Sequence, residues 1–558
     1  MKSLLDALLR ATIHNCYEGG LLVRKPLPDY VIEIPNNPDH GHFATNLPMA
    51  LASGQRRSPR EIASIILDQI RDDSDLLERA EIAGPGFINF RIRSSEWYRV
   101  LSDIVRFKHD YGRSETGNDQ KVLVEFVSAN PTGPLHLGHG RGAALGDTLC
   151  RILSFRGYDV VREFYINDAG RQIRVLGESI FSRFKQIDDA GYPFPEDAYH
   201  GDYIHDLAKM ISEKTDLSNM SDNEAIEVCA QEGKKIMLDE IKQDLVRFGV
   251  DFDIWYSERD IIGSGALDDI LSLLDGEGQL FKDEGAVWIK TTDFGDDKDR
   301  VLRKKDGQFT YFASDISYHL EKRKRGFDKA INLWGADHHG YIPRIKAALA
   351  CRGLPEDWLS VMLIQLVRLW KGGQEIKMSK RTGNFVTLQE LVDEVGVDAA
   401  RFVFLTKSHD SALDFDVDLV RKRDSDNPVY YVQYAHARIC SVFRKAGSEG
   451  IFLPAKSDGL LGRLVLDEEM ALIRTMAGFP SLLEDISKGL EPHRLTYYLT
   501  DLAASFHRYF NLGTKTPEHR MVTDDRALSG ARLFLAEAVK IVIANGLRLL
   551  GVSAPEKM

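Results

Sequence analysis

Residues 121–146 read Lys121-Val-Leu-Val-Glu-Phe-Val-Ser-Ala-Asn-Pro-Thr-Gly-Pro-Leu-His-Leu-Gly-His-Gly-Arg-Gly-Ala-Ala-Leu-Gly146, and they fall into three pieces. Val122 to Val127 is an apolar, β-branched run, the pattern of a strand buried on both faces. Ser128 to Pro134 is a loop: Asn130-Pro131 and Gly133-Pro134 break the chain, and each residue before a proline is steered away from helix. From His136 onward, Leu137, Ala143, Ala144, Leu145 and Leu149 fit a helix that packs on the strand. A helix N-terminus carries unpaired N–H groups and about half a positive charge, so it accepts phosphate oxygens. Gly138, Gly140 and Gly142 are expected to let a flat ligand approach the backbone. His136 and His139 share one face of the first turn and can donate to phosphates. Taken alone, the stretch reads equally well as a capped helix whose histidines are incidental.

A second stretch lies far downstream. Residues 377–380 read Lys-Met-Ser-Lys, followed by Arg381-Thr382-Gly383-Asn384. Two lysines three apart on a glycine-flanked loop can clamp a polyphosphate as mobile point charges. Alone, a solvated loop accounts for them as well. Together and in this order, the two stretches resemble the two signature sequences of class I aminoacyl-tRNA synthetases. Glu125 to Arg141 resembles the first signature of the arginyl-tRNA synthetases. Four more segments are similar to the same family: Ala83-Gly-Pro-Gly-Phe-Ile-Asn-Phe90, Tyr165-Ile-Asn-Asp-Ala-Gly-Arg-Gln172, Val429-Tyr-Tyr-Val-Gln-Tyr-Ala-His-Ala-Arg438 and Leu550-Gly-Val-Ser-Ala-Pro-Glu-Lys-Met558. The resemblance runs the length of the chain.

The bulk numbers agree with such an enzyme. A chain of 558 residues can hold several domains, and 43% hydrophobic with 28% charged residues is ordinary for a globular protein. No apolar run approaches the ~18 residues of a membrane span, so none is expected. The start, Met1-Lys-Ser-Leu-Leu-Asp-Ala-Leu-Leu-Arg10, mixes acid and base into its apolar pattern, which reads as an amphipathic helix and not a signal peptide. Cys16, Cys150, Cys229, Cys351 and Cys440 are scattered with no Cys-x-x-Cys pair, so neither a disulfide framework nor a zinc site is expected, and a cytoplasmic setting is. A net charge of −12 argues against a non-specific nucleic-acid binder but leaves room for local basic patches.

The expected fold class is α/β: a Rossmann-type parallel-sheet catalytic domain with an insertion, an α+β N-terminal domain and an all-α C-terminal anticodon-binding bundle. Boundaries are expected at 1–115, 116–395 (insertion about 180–300) and 396–558. The N-terminal stretch shows a helical stripe at Leu4, Leu5, Leu8, Leu9 and Ile13, and a strand at Phe87 to Ile92. By resemblance it meets the tRNA elbow, although His42 stands where the family has an acid. Asp159 to Ile166 reads as the second parallel strand, with Asn167-Asp168-Ala169-Gly170 as its exit turn and Arg171 opening a helix. Residues 221–250 form a long helical pattern. Acidic Asp293 to Asp299 reads as a solvated hairpin turn. Tyr311 opens a helix, Lys329 to Trp334 is a strand, Gly335 to Gly340 its exit turn, and Leu363 to Leu369 a further strand.

The resemblance also implies roles. Tyr311 and Asp315 match positions that hold the guanidinium end of arginine, a cation that wants carboxylates in fork geometry between aromatic walls. Asp315 also reads as a helix-surface carboxylate or a cap. Glu125, Ser128 and Asn130 match positions that hold the amino-acid end, and His338 aligns loosely with a glutamine-type position. His136, Gly138, His139, Gly335, Asp337, His338, Met378 and Ser379 are expected at ATP. His136, His139, Lys377 and Lys380 would surround the triphosphate, with Mg²⁺ bridging its oxygens. Catalysis would then be positioning plus charge neutralisation. Adjacent histidines 338 and 339 rarely share a metal, and no protein metal site is expected. Tyr430, Tyr434 and Arg438 combine rings with a cation, as single-stranded anticodon bases require; part of that stripe also reads as core. The family implies tRNA(Arg), L-arginine and ATP as partners, the 2′-hydroxyl as acceptor, tRNA binding before activation, and a monomer.

Competing readings are weaker. Gly140-x-Gly142-x-x-x-Gly146 with Glu163 loosely fits a dinucleotide-dependent oxidoreductase, but leaves the lysine loop and the helical bundle unexplained. No Gly-x-x-x-x-Gly-Lys-Ser/Thr occurs, which removes a P-loop kinase. A catalytically silent tRNA-binding paralogue would be marked by loss of Lys380 or His139, and both are present.

Overall fold

The computed structural model describes residues 1–263, 265–376, 386–454 and 459–558. The N-terminal region packs helix Lys2–Glu18 through Leu5, Leu9, Ile13 and Cys16. Its sheet is antiparallel, in the order Ile32–Glu33, Phe43–Thr45, Phe87–Ile92, Leu77–Ala83. His42, the departure from the family pattern, is a packing residue. Its Nδ1 accepts the Ile92 N–H at 2.9 Å and its ring meets Trp97 edge-on at 5.3 Å. Burial, with Arg474 and Arg91 close by, lowers its pKa to about 4, so it is neutral. Helix Ser94–Phe107 leaves this sheet for the C-terminal helices, where Tyr98 Oη donates to the Leu464 carbonyl at 3.0 Å.

The central sheet is built from β1 (Lys121–Glu125), β2 (Asp159–Ile166), β3 (Ile254–Ser257), β4 (Lys329–Gly335) and β5 (Leu359–Ile364). All neighbours are parallel, in the order β5-β4-β1-β2-β3. Helix α1 (Leu137–Phe155) returns β1 to β2, α2 (Arg171–Asp188) leaves β2, and α3 (Tyr311–Lys324) leads into β4. Strand order reverses between β1 and β4, and in such sheets ligands lie at the carboxyl ends beside that reversal.

Four expectations need correction. β1 stops at Glu125, not Val127: Val127 and Ser128 have φ of 69° and 42°, a conformation that costs a β-branched residue about 1–3 kcal/mol and turns the chain into the cleft. β3 lies inside the stretch expected to be insertion; it is four half-buried residues at the sheet edge, too short to show periodicity. The strand expected at Leu363 to Leu369 is two strands. β5 ends at Ile364, and Val367–Lys371 joins a separate sheet with Gln374–Ile376 and Leu413–Asp416, so the stretch after 396 is not purely helical. Asp296, in the acidic turn, is not solvated: its carboxylate takes Arg300 Nε at 2.8 Å and Nη2 at 2.7 Å, which holds its pKa far down.

The C-terminal bundle includes α4 (Pro428–Ser448), α5 (His493–Lys515) and α6 (Arg526–Leu550). Fully buried Arg401 locks it to the catalytic core. It donates to the Leu550 carbonyl at 3.0 Å, to the Phe248 carbonyl at 3.1 Å and to Asp147 of α1 at 2.5 Å. Among the described residues, no helix is long and apolar enough to cross a membrane.

Candidate active site

Helix α1 begins at the carboxyl end of β1, with His136 as N-cap. His136 Nδ1 accepts the Gly138 N–H at 3.1 Å, and His139 Nδ1 accepts the His136 N–H at 3.2 Å. The rings stack with centroids 3.7 Å apart. A neutral imidazole whose Nδ1 accepts carries its proton on Nε2. Both histidines therefore cap the helix through Nδ1. The glycines do something other than expected. A Cβ on Gly140 would lie 2.7 Å from Leu388 Cδ1 and one on Gly142 3.4 Å from Ile364, so these two face neighbouring elements and not a ligand. Gly138 makes room for the His136 ring: a Cβ there would lie 3.0 Å from Cε1.

The lysine loop's residues Lys377, Met378, Ser379 and Lys380 lie outside the described residues. The chain returns beside the histidines: Thr387 bridges His136, and the Leu388 N–H reaches the Leu135 carbonyl at 2.8 Å.

A second cluster sits at the same sheet edge. Asp315 lies in the first turns of α3 and accepts a hydrogen bond from the Tyr341 hydroxyl. Burial raises its pKa to about 6, with Glu125 adding to the rise. Glu258 directly follows β3, is 5% exposed, and its Oε2 accepts no hydrogen bond from the described residues. Burial and the nearby Asp315 raise it to about 7, against one hydrogen bond from the Ala169 backbone. Neither carboxylate is ion-paired among the described residues, although Lys322 and His338 are near enough to pull Asp315 partway back down. Tyr165 lies near both, and its ring meets that of Tyr318 at a tilt of 44° with centroids 4.6 Å apart, forming an aromatic wall. Tyr311 is 74% exposed, on the rim above Gly170.

Glu125 is already neutralised. Its carboxylate takes Lys322 Nζ at 2.6 Å and the Ser128 hydroxyl at 3.0 Å; Ser128 Oγ in turn accepts the Tyr165 N–H at 3.2 Å. These contacts lock the ends of β1 and β2 together. Asn130 donates to Gln172. Gly335 caps the turn Ala336–Tyr341, where Asp337 lies 3.7 Å from His338 and the His338 ring lies 6.1 Å from Trp334. The structure thus gathers Glu125, Ser128, Asn130, His136, His139, Asp315 and His338 at one end of one sheet. Sequence reasoning missed Glu258, Tyr341 and Tyr165. Glu258 was findable in principle as the residue leaving a strand: a strand-like run reads at Phe252 to Ile254, and the strand itself is Ile254–Ser257. Glu163, the ribose ligand of a dinucleotide reading, is buried and held by Tyr318 at 2.6 Å and Arg325 at 2.5 Å.

Far from this edge, a cavity of about 900 Å³ opens between α4 and α5. Tyr434, Arg438, Arg444, Lys445, Arg520 and Lys557 line it, and no carboxylate side chain does among the described residues. Tyr430 stacks on Tyr434 at 5.8 Å, and Arg438 lies over the rings of Tyr434 and Phe510 at 4.5 and 4.7 Å.

Three family models match successive parts of the chain: "Arginyl tRNA synthetase N terminal domain" at 3–92, "tRNA synthetases class I (R), catalytic domain" at 100–421, and "DALR anticodon binding domain" at 432–558. An arginine–tRNA ligase of Desulfosudis oleivorans is 48% identical, and one of Syntrophotalea carbinolica 46%, each with both chains covered completely. A solved arginyl-tRNA synthetase structure from Campylobacter jejuni is 38% identical with a TM-score of 0.75, covering 84% of this chain and 100% of that one. The Thermus thermophilus enzyme, 24% identical over 100% of both chains, shares the fold with a TM-score of 0.79. Matched over its whole length, the chain belongs to the arginyl-tRNA synthetases, the class I arginine–tRNA ligases.

Proposed function

We propose that Glu258 and Asp315 take the guanidinium of L-arginine while the His136–His139 helix end takes the phosphates of ATP. The arginine carboxylate attacks the α-phosphorus, pyrophosphate leaves, and arginyl-adenylate forms. The 2′-hydroxyl of the terminal adenosine of tRNA(Arg) then attacks the acyl carbon and AMP leaves. The observation that carries this reading is the pair of buried carboxyls, Glu258 and Asp315, without an ion pair among the described residues, at the same end of the sheet as the helix start that carries His136 and His139. A bidentate guanidinium satisfies both carboxylates, and Tyr165 supplies an aromatic face.

Asn130 holds the amino-acid end, and Tyr311 stands with Asp315 at the guanidinium end, at its exposed rim. Glu125 and Ser128, fixed by Lys322, set the floor beneath the substrate. Gly335, Asp337 and His338 meet the nucleotide, and His338 also faces the arginine. By family resemblance Lys377 and Lys380 serve the triphosphate, and Met378 and Ser379 serve ATP. Mg²⁺ would enter with ATP and supply charge neutralisation at the phosphates; no protein ligand is assigned to it. The cavity lined by basic side chains supports anticodon binding, with Tyr430, Tyr434 and Arg438 offering faces for unpaired bases. We place the domains at 1–115, 116–395 and 396–558, and the enzyme in the cytoplasm as a monomer.

Arginine-dependent ATP–pyrophosphate exchange tests the whole reading. Exchange only with tRNA present is expected. Exchange without tRNA would keep the ligase and remove the ordered binding. No exchange in folded protein that still binds tRNA would make it a silent paralogue. Arg438→Ala is expected to weaken tRNA binding by roughly 5- to 150-fold, the ~1–3 kcal/mol of a lost stacking contact. Its KM for arginine should not change; filter binding and exchange kinetics check the two.

A further inference from the structure

Two tyrosines of the helical insertion reach into the loop that carries His136. The insertion has its own core, built from Leu176, Ile180, Phe181, Ile204, Leu207 and neighbours, distinct from the core of the central sheet. Tyr203 heads helix Tyr203–Ser212, and its hydroxyl donates to the Thr132 carbonyl at 2.9 Å. Tyr199 lies near the Thr132 side chain, and its own N–H is anchored on Ser179 Oγ of α2 at 3.0 Å. Thr132 is 8% exposed. The Tyr203 ring sits in a socket between two glycines. A Cβ on Gly201 would lie 2.4 Å from its Cε1, and one on Gly133 2.9 Å from its hydroxyl oxygen.

The loop needs such a hold. It runs Asn130-Pro131-Thr132-Gly133-Pro134, and the two prolines remove two amide donors. It cannot anchor itself through a backbone ladder, so it depends on donors brought to its carbonyls. Four residues after Thr132 comes His136, whose Nε2 direction follows from where the loop delivers its backbone.

We infer that Tyr203, assisted by Tyr199, is a positioning residue for adenylate formation, holding the loop so that His136 meets the phosphates. The inference rests on the arginine-activation reading, which wild-type exchange tests separately.

The test is Tyr203→Phe, which removes one hydroxyl and leaves the ring in its socket. In wild-type background, kcat of arginine-dependent exchange should fall about tenfold, the scale of a small misplacement of a reacting group. KM for arginine and tRNA affinity should stay within about twofold. In a His136→Ala background the same substitution should change kcat little, because the group it positions is gone. Gly133→Ala, which pushes on the same hydroxyl, should copy the kcat loss. An unchanged kcat for Tyr203→Phe would overturn the inference. So would an equal tenfold loss in both backgrounds, since that would make Tyr203 a general support of the fold.

Discussion

His139→Ala is expected to lower kcat for arginine-dependent exchange by about 10²–10³, the usual effect of removing one preorganised donor from a developing anion. The substitution removes two things. Nε2–H is lost to the phosphates, and Nδ1 no longer accepts the His136 N–H, the contact made at 3.2 Å. The second loss is a helix-capping defect of about 1 kcal/mol, which lowers the melting temperature without touching chemistry. His139→Asn separates the two. Its short amide can still accept the His136 N–H but does not extend to the Nε2 position. Asn should therefore restore the melting temperature and leave kcat low. His139→Gln, whose longer amide places a donor nearer Nε2, should recover part of kcat. Tight-binding tRNA measurements should show no change in any of the three. If Asn restores kcat as well, the histidine is a cap only, and the phosphate role belongs elsewhere.

That test concerns a residue whose place could be read before any coordinates, and the reason is physical. A β-branched run, a pair of X-Pro breakers and a capped helix are local patterns, so β1, the loop and α1 were legible to within two residues. β2 and β4 were legible for the same reason. The part that was not legible depends on contacts between distant residues. Gly140 looked like a ligand-facing glycine because sequence cannot show Leu388 and Phe404 lying against it. Glu258 was overlooked because the strand signal reads at Phe252 to Ile254, three residues short of the glutamate, whereas the strand runs Ile254–Ser257 and delivers Glu258 at its end. Asp315 was reached through family resemblance; what the resemblance did not supply was its environment, a buried carboxyl near a second buried carboxyl, neither of them ion-paired among the described residues.

Glu258→Gln should therefore move stability and substrate affinity in opposite directions. Glu258 has a pKa raised to about 7 and Asp315 one raised to about 6, burial being the main cause of both. A carboxyl whose folded pKa lies above its unfolded value binds protons more tightly in the folded state. Stability then rises as pH falls from about 7 toward the unfolded value near 4, and the ionised pair destabilises the empty enzyme at neutral pH. Glutamine keeps an acceptor for the Ala169 N–H and removes that charge. The substrate-free melting temperature at pH 7.5 should rise, and its pH dependence between about 7 and 5 should flatten. Arginine binding needs both groups ionised, so in wild type KM for arginine should be level above about pH 7. It should climb as pH falls through 7 and more steeply below 6. In Glu258→Gln the guanidinium loses one charged partner of a buried pair, a change of about 2–5 kcal/mol, so KM should rise at least 30-fold at neutral pH. The climb between 7 and 6 should disappear while the one below 6, belonging to Asp315, persists. A variant that is stabilised yet keeps its arginine KM would show that Glu258 is a buried acid with no share in the substrate. A variant that loses arginine and stability together would show that the glutamate holds the turn at Ala169 and acts on the pocket only through it.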